Sequence, residues 1–300
     1  MPAPSVLALF GPTAVGKTAM ALALAERLRA AGEDPVAVSA DALQVYAGLE
    51  TLTGAVSAAE RARLEHRLVG FLPVTETFSA GRYSALAHAE IDGLLAAGRR
   101  PVVVGGTGLY LRAALADLEL RPPPDPGVRA RWQAALAERG APALHALLAE
   151  REPEAAGRIA PTDPQRIVRA LELHDAGLAP PGGPQLWTRA TRRPTLLAGL
   201  VRDRTELAER IGARVEAMVA AGAEAEVRRA QAAGASATAR KAVGFEELLR
   251  GDVEAMKRRT RAYARRQLTW MRKLPDVRLV ELTGRDPGAA ADEIAGMMGA

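Results

Sequence analysis

A chain of 300 residues, 48% hydrophobic and 25% charged, is long enough for one large domain and a smaller one, and its composition is that of a globular protein in water. It has no cysteine, which excludes disulfides, thiol catalysis and cysteine-held zinc, and its four scattered histidines (His66, His88, His145, His174) offer no paired zinc ligands. No apolar run approaches the ~20 residues that a membrane span needs, and a net charge of +5 favours an anionic partner.

The first predicted strand, Val6 to Phe10, starts so near the N-terminus that no leader fits before it, so the chain is expected to stay in the cytoplasm. It runs into Gly11-Pro12-Thr13-Ala14-Val15-Gly16-Lys17-Thr18, which satisfies the phosphate-cradling spacing Gly-x-x-x-x-Gly-Lys-Ser/Thr of ATP-binding and other nucleotide-binding loops. An Ala/Leu-rich helix follows from Ala19 to Ala30. Strand, loop and helix in that order make an anion nest. The backbone N–H groups face the phosphates, Lys17 adds a movable positive charge, and the Thr18 hydroxyl can ligate a magnesium ion held by those phosphates. A second strand, Val36 to Ser39, ends at Ala40-Asp41, with Gln44 and Tyr46 close behind. Ligands of open parallel α/β sheets bind at the C-terminal ends of strands, so Asp41 is expected to face the loop. The competing reading is a cap for whatever follows.

Residues 51–77 show little periodicity beyond a short charged helix from Glu60 to Leu68. A helix from Ser79 to Ala97, capped by Ser79 and stopped by Gly98, precedes a buried third strand from Pro101 to Val104. That strand delivers a second glycine-rich turn, Gly105-Gly106-Thr107-Gly108, where backbone can approach a ligand. Two proline-rich stretches, Arg121 to Pro126 and Ala179 to Pro184, then bracket a strandless segment with helices near Pro126–Arg139, Pro142–Glu150 and Asp163–Ala176. The last of these opens on Asp163-Pro164-Gln165-Arg166 and points Gln165, Arg166 and Arg169 outward from its first turns.

Beyond the bracket the pattern predicts a returning strand from Thr195 to Val201, helices over Asp203–Ala221 and Glu224–Ala233, and a further segment from Arg240 to Leu248. Across Lys257–Lys273 there are eight Lys/Arg and no acid. A solvated helix usually mixes signs, so this one argues for a polyanion, while Tyr263 and Trp270 are expected to pack in the core. A short strand from Val277 to Glu281 and a last helix end the chain. The expected fold is α/β, a P-loop NTPase-like parallel sheet core with a helical insertion domain. Residues 1–120 and 184–300 form the core, and residues 121–183 the insertion.

Six blocks in order, Gly11–Thr18, Ser39 to Tyr46, Gly105 to Tyr110, Asp163 to Ile167, Ala242 to Glu247 and Thr260 to Trp270, carry a resemblance. From about residue 6 to residue 273 the chain resembles the tRNA dimethylallyltransferases, also called tRNA isopentenyltransferases. The resemblance implies transfer of a five-carbon prenyl group from dimethylallyl diphosphate to N6 of the adenosine just 3′ of the anticodon, with magnesium. It implies that Gly11, Pro12, Thr13, Ala14, Val15, Gly16, Lys17 and Thr18 hold the diphosphate, with Thr13 and Lys17 assisting the chemistry and Asp41 as general base. Asp41, Ala42, Leu43 and Gln44, together with Asp163, Pro164, Gln165, Arg166 and Ile167, would touch the tRNA, and Thr107 and Arg129 would lie beside it. The insertion would grip the anticodon arm of a monomeric enzyme.

The chain departs from the family pattern at three places. Leu52-Thr53-Gly54-Ala55-Val56 stands where the family usually has Gly-Thr-Ala-Lys-Pro, and Val69-Gly70 follows His66-Arg67-Leu68 where an aspartate is common. Lys241 stands three before Gly244, where some relatives place a diphosphate-binding arginine; Arg240 beside it is the substitute.

The residues' own chemistry agrees with the resemblance. A nest with Lys17 and a magnesium ion at Thr18 stabilises a diphosphate leaving group, Thr13 can donate to its bridging oxygen, and one carboxylate suffices as base for an attacking amine. A small-molecule kinase would use the same loop for ATP, and a prenyltransferase of free adenine nucleotides would use the same donor. Neither needs the helical insertion. A nucleotide-gated RNA-binding protein would not need Asp41.

Overall fold

The computed structural model describes residues 4–123, 125–179 and 185–298. The chain opens with β1 (Val6–Phe10), buried at every position, and α1 (Lys17–Ala30). Then come β2 (Pro35–Ser39), β3 (Tyr46–Ala47), α2 (Glu50–Thr53), α3 (Ala58–Arg63), β4 (His66–Arg67) and β5 (Leu72–Pro73). The first half ends with α4 (Ala80–Ala96), whose cap Ser79 accepts from the Arg82 N–H, followed by β6 (Arg100–Gly105) and α5 (Gly108–Leu115). The helical segment contains α6 (Pro126–Arg151), α7 (Pro153–Arg158) and α8 (Pro164–Asp175). The rest is β7 (Thr195–Val201), α9 (Arg204–Ala220), α10 (Ala223–Ala232), α11 (Phe245–Leu249), α12 (Val253–Met271), β8 (Arg278–Glu281) and α13 (Pro287–Gly296).

Six strands form one parallel sheet in the order β4-β2-β6-β1-β7-β8. Leu9 of the central strand lies opposite Val104 on one side and Ala198 on the other. A parallel sheet covered on both faces needs continuous apolar strands rather than alternation, which is why β1, β2 and β6 read as plain apolar runs. Leu7, Leu9, Leu24, Leu200, Ile211 and Val280 pack in one core that joins sheet and helices. The same topology gathers the C-terminal ends of β1, β2 and β6. A Cβ on Gly105 would lie 2.2 Å from the Ala40 carbonyl oxygen, so this crossing admits glycine alone.

The core comprises residues 1–118 and 186–300, and residues 119–185 make a second compact unit. Within that unit the two helices expected over Pro126–Arg139 and Pro142–Glu150 are the halves of α6, bent at Gly140, whose φ of 76° leaves the helical region two residues before Pro142. Trp132, Leu144, Leu148, Ile167, Val168 and Leu171 form its own apolar centre.

The region around residues 46–73 differs most from the sequence reading. The helix expected from Glu60 to Leu68 stops at Arg63, because Leu64 is extended and His66–Arg67 pairs with β2 as an edge strand. β3 and β5 pair separately as a two-stranded ribbon. Strands of two residues show no period-two pattern, so none of these was readable.

Candidate active site

One cavity of about 730 Å³ opens at the C-terminal ends of the central strands, lined by Thr13, Lys17, Thr18, Asp41, Gln44 and Gly54, and across from them by Arg210, Arg214, Tyr263 and Gln267. The phosphate loop reaches it through two left-handed residues, Ala14 (φ 65°) and Gly16 (φ 112°). Lys17 Nζ donates to the carbonyls of Gly11 (3.0 Å) and Pro12 (2.9 Å), so those two residues shape the loop while Lys17 faces the cavity. Val15 is fully buried and serves as the loop's anchor.

A residue with no part in the expected site holds this loop in place. Buried Gln267 accepts the Thr13 N–H at Oε1 (2.8 Å) and donates from Nε2 to the Gly106 carbonyl (2.8 Å). It stitches the phosphate loop to the Gly105–Gly108 turn. The only signal in the sequence was an uncharged amide at helical spacing between Tyr263 and Trp270 on an otherwise basic helix.

Asp41 faces the cavity as expected, and it is not a helix cap. Its Oδ1 accepts the Leu43 N–H (3.0 Å), closing a local turn. Ala42 donates its N–H to the Thr107 hydroxyl (3.3 Å), which in turn meets the Tyr263 hydroxyl (3.4 Å). Leu43 lines the cavity, and Gln44 donates from Nε2 to the Gly54 carbonyl (3.2 Å).

Burial pushes the Lys17 ammonium down to about 8, with the Asp41 carboxylate opposing the shift and the Arg214 guanidinium adding to it. Burial also raises the Tyr263 phenol, and the Asp41 charge raises it further. An anion binds best to protonated Lys17. Below pH about 8 the free protein already carries that proton, and above it binding must take one up. Affinity for inorganic pyrophosphate is therefore expected to weaken as pH rises through 8, by at most about tenfold per pH unit. A calorimetric titration across this range checks the sign.

Two arginines that sequence reasoning missed complete the cation set. Arg210 Nε donates to the Ala14 carbonyl (2.9 Å), and Arg214 Nη2 reaches the Gly54 carbonyl (3.4 Å). Arg214 Nε is buried with no hydrogen-bond partner among the described residues, and burial lowers the pKa of its guanidinium. A buried donor facing a cavity that already contains a lysine suits an anion. The sequence signal was faint: Arg210 and Arg214 recur on the side of α9 that buries Leu207, Ile211 and Val215.

Arg240 and Lys241, the residues expected to serve the diphosphate, are not brought to this cavity. Arg240 is held by Gln231 and by Glu246 (2.7 Å) and lies over the Phe245 ring, while Lys241 is exposed.

The basic helix is partly neutralised from outside its own sequence window. Lys257 pairs with Glu216 (2.7 Å) and Glu254 (2.8 Å), Arg259 with buried Glu247 (2.7 Å), and Arg258 lies 3.9 Å from Asp252. Arg261, Arg265 and Arg272 have no carboxylate partner among the described residues, and Arg265 and Arg272 are exposed. Trp270, expected in the core, is half-buried against half-buried Trp187 (4.7 Å between rings), and Tyr263 lines the cavity instead of the core. Neutralising Arg265 and Arg272 together is expected to reduce the log–log salt slope of RNA binding by about 0.7 for each phosphate they neutralise. Filter binding across a salt series measures it, and an unchanged slope removes α12 from the RNA surface.

The second unit contains the remaining expected residues. Asp163 caps α8 by accepting the Arg166 N–H (3.1 Å), Pro164 takes the first turn, and Gln165 and Arg166 are exposed. Arg129 makes two hydrogen bonds to buried Glu172 (2.7 and 3.0 Å), which Arg169 also approaches (3.3 Å). Ile167 departs from expectation. Its side chain is fully buried in the unit's core, on the apolar face of α8, so it supports the helix rather than facing RNA.

Fold and cavity together define a phosphate-loop α/β protein whose cavity is lined by Lys17, Arg210 and Arg214 and by the carboxylates of Asp41 and Glu60. A family model described as IPP transferase matches residues 44–274, a span that begins just past Asp41 and does not include the phosphate loop. A tRNA dimethylallyltransferase of Thermobifida fusca is 44% identical over 287 residues, 91% of this chain and 88% of the relative. A crystal structure of a tRNA isopentenylpyrophosphate transferase from Bacillus halodurans superposes with a TM-score of 0.70 at 31% identity, covering 98% of this chain and 96% of that one. A tRNA isopentenylpyrophosphate transferase of Staphylococcus epidermidis gives 0.67 at 27%, covering 98% of each. The chain belongs to the tRNA dimethylallyltransferase family.

Proposed function

We propose that the chain transfers a dimethylallyl group from dimethylallyl diphosphate to N6 of the adenosine 3′ of the anticodon in tRNA. The observation that carries this reading is the composition of one cavity: a phosphate loop with Lys17, Arg210 and Arg214 around it, and Asp41 alongside. The allylic C–O bond breaks with its electron pair leaving on the diphosphate, the N6–C bond forms, and the N6 proton passes to Asp41. Negative charge grows on the leaving group, and three preorganised cations stabilise it where it develops. The amine becomes acidic only as the bond forms, so a single carboxylate within reach is a competent base.

The donor set also fits magnesium. Thr18 and Asp41 line the cavity, and no cluster of three or more His, Cys, Asp or Glu among the described residues could cage a metal alone. Magnesium suits such a sparse site, since it keeps its waters and takes substrate phosphates as ligands. When bound at Thr18 it would supply further charge neutralisation of the diphosphate.

For the acceptor, the exposed Gln165 and Arg166 and the unpaired charges of α12 suit an RNA loop, whose bases unstack at small cost. The anticodon arm is the proposed partner of the helical unit, and the proposed enzyme is a cytoplasmic monomer. No helix among the described residues is long and apolar enough to cross a membrane. Incubation with labelled dimethylallyl diphosphate or labelled ATP, with tRNA or with free adenosine monophosphate, tests the reading. Label is expected in tRNA from the prenyl donor. Label from ATP, or in the free nucleotide alone, would replace it with a kinase or a free-nucleotide prenyltransferase.

A further inference from the structure

Along α9, Arg210, Arg214 and Met218 recur every four residues and so share one face over about 12 Å of helix. All three line the cavity. The face changes character along its length: Arg210 bonds the phosphate loop at Ala14, Arg214 reaches Gly54, and the Met218 methyl lies 3.0 Å from where a Cβ on Gly54 would stand. From α12 comes a second methionine, Met256, almost fully buried, whose sulfur and methyl lie 2.7 Å from a Cβ position on Gly244, with Leu52 Cδ1 at 2.9 Å from the same point. These apolar tips, with Val243, also line the cavity.

The helix face thus runs from Arg210 at the phosphate loop to Arg214 and Met218, whose guanidinium and methyl meet beside Gly54, and Met256 adds a second thioether beside Gly244. We propose that Met218 and Met256 set the length of the prenyl chain this site accepts. The proposal rests on the prenyl-transfer reading above. With the diphosphate held at the phosphate loop, a five-carbon group ends at the methionine tips, and the next isoprene unit of a longer donor collides with them. Methionine suits the role because its unbranched thioether fills an irregular apolar end closely, and truncation to alanine leaves room there for further hydrocarbon. Charge plays no part in this choice, since both donors present the same diphosphate and the same allylic carbon.

The test compares kcat/KM for dimethylallyl diphosphate and for geranyl diphosphate, the ten-carbon homologue, on one tRNA, with product mass as a second readout. A single methylene in an apolar pocket is worth about 10–200-fold in discrimination. Met218→Ala and Met256→Ala are each expected to raise the geranyl-to-dimethylallyl ratio by about tenfold or more. Met218→Leu, which keeps the bulk, is expected to stay near the wild-type ratio. An unchanged ratio in the alanine variants, with dimethylallyl transfer still measurable, overturns the proposal. Met256 is buried in the core, so if its variant fails to fold, half-buried Met218→Ala decides alone. A wild-type enzyme that transfers neither group is a different result and removes the prenyl-transfer reading itself.

Discussion

Asp41→Asn is expected to lose about 10²–10⁴-fold in the rate of prenyl transfer, the range for removing a general base, while binding tRNA and prenyl diphosphate. Asparagine keeps the shape, and its Oδ1 can still accept the Leu43 N–H that orients the side chain (3.0 Å in the native protein). What it loses is the ability to take the N6 proton. The exchange has a second consequence with a definite sign. The Asp41 carboxylate raises the Lys17 pKa against the effect of burial, so its removal lowers that pKa further below about 8. Donor affinity in the variant should then fall off at lower pH than in the wild type, and rates must be compared well below pH 8, where both proteins hold a protonated Lys17. Single-turnover rates with saturating donor make the comparison. A variant within a few-fold of wild type there would remove Asp41 as the base.

The same residues show what a sequence can and cannot reveal. The phosphate loop was legible because its function depends on backbone geometry at fixed spacing, and a glycine at φ 112° leaves a mark that spacing alone can find. Asp41 was legible from the end of an apolar strand. Arg210 and Arg214 were not, because an arginine on the inner face of an Ala-rich helix looks like any other solvated charge until the sheet behind it is assembled. The expectation for Lys241 fails for the same reason: closeness to a glycine in sequence is not closeness in space. The basic helix is less bare than its own window implies, since Lys257 pairs with Glu216 on another helix and with Glu254 in the first turn of α12, and Arg259 pairs with Glu247 on a third helix. Gln267 was hidden for a different reason. Its role is to join two turns that are 161 and 254 residues away in sequence, and no local pattern encodes that.

Arg214→Gln is expected to lower kcat for transfer by about 10²–10³-fold, the cost of removing one preorganised donor from a site of developing charge. The guanidinium has a buried Nε with no hydrogen-bond partner among the described residues, and its main neutral contact is a long one to Gly54 (3.4 Å), so little of its bonding capacity is spent on the fold. Tertiary structure should therefore survive the change, and tRNA affinity with it, because the guanidinium faces the donor cavity. A linked shift separates this residue from a merely structural one. Arg214 lowers the Lys17 pKa, so its neutralisation raises it, and the pH at which pyrophosphate binding begins to weaken should move upward from about 8. Loss of charge thus weakens binding at neutral pH while extending its alkaline range, a pair of signs that unfolding or loosened packing does not produce. Arg240→Gln is the informative comparison, since Arg240 is engaged by Glu246 (2.7 Å) and lies outside the cavity lining. Pyrophosphate titrations of both variants across pH would settle the assignment. A large loss at Arg240 with none at Arg214 would return the diphosphate to the segment before Gly244, and an unmoved alkaline limb in Arg214→Gln would remove the electrostatic link between α9 and the phosphate loop.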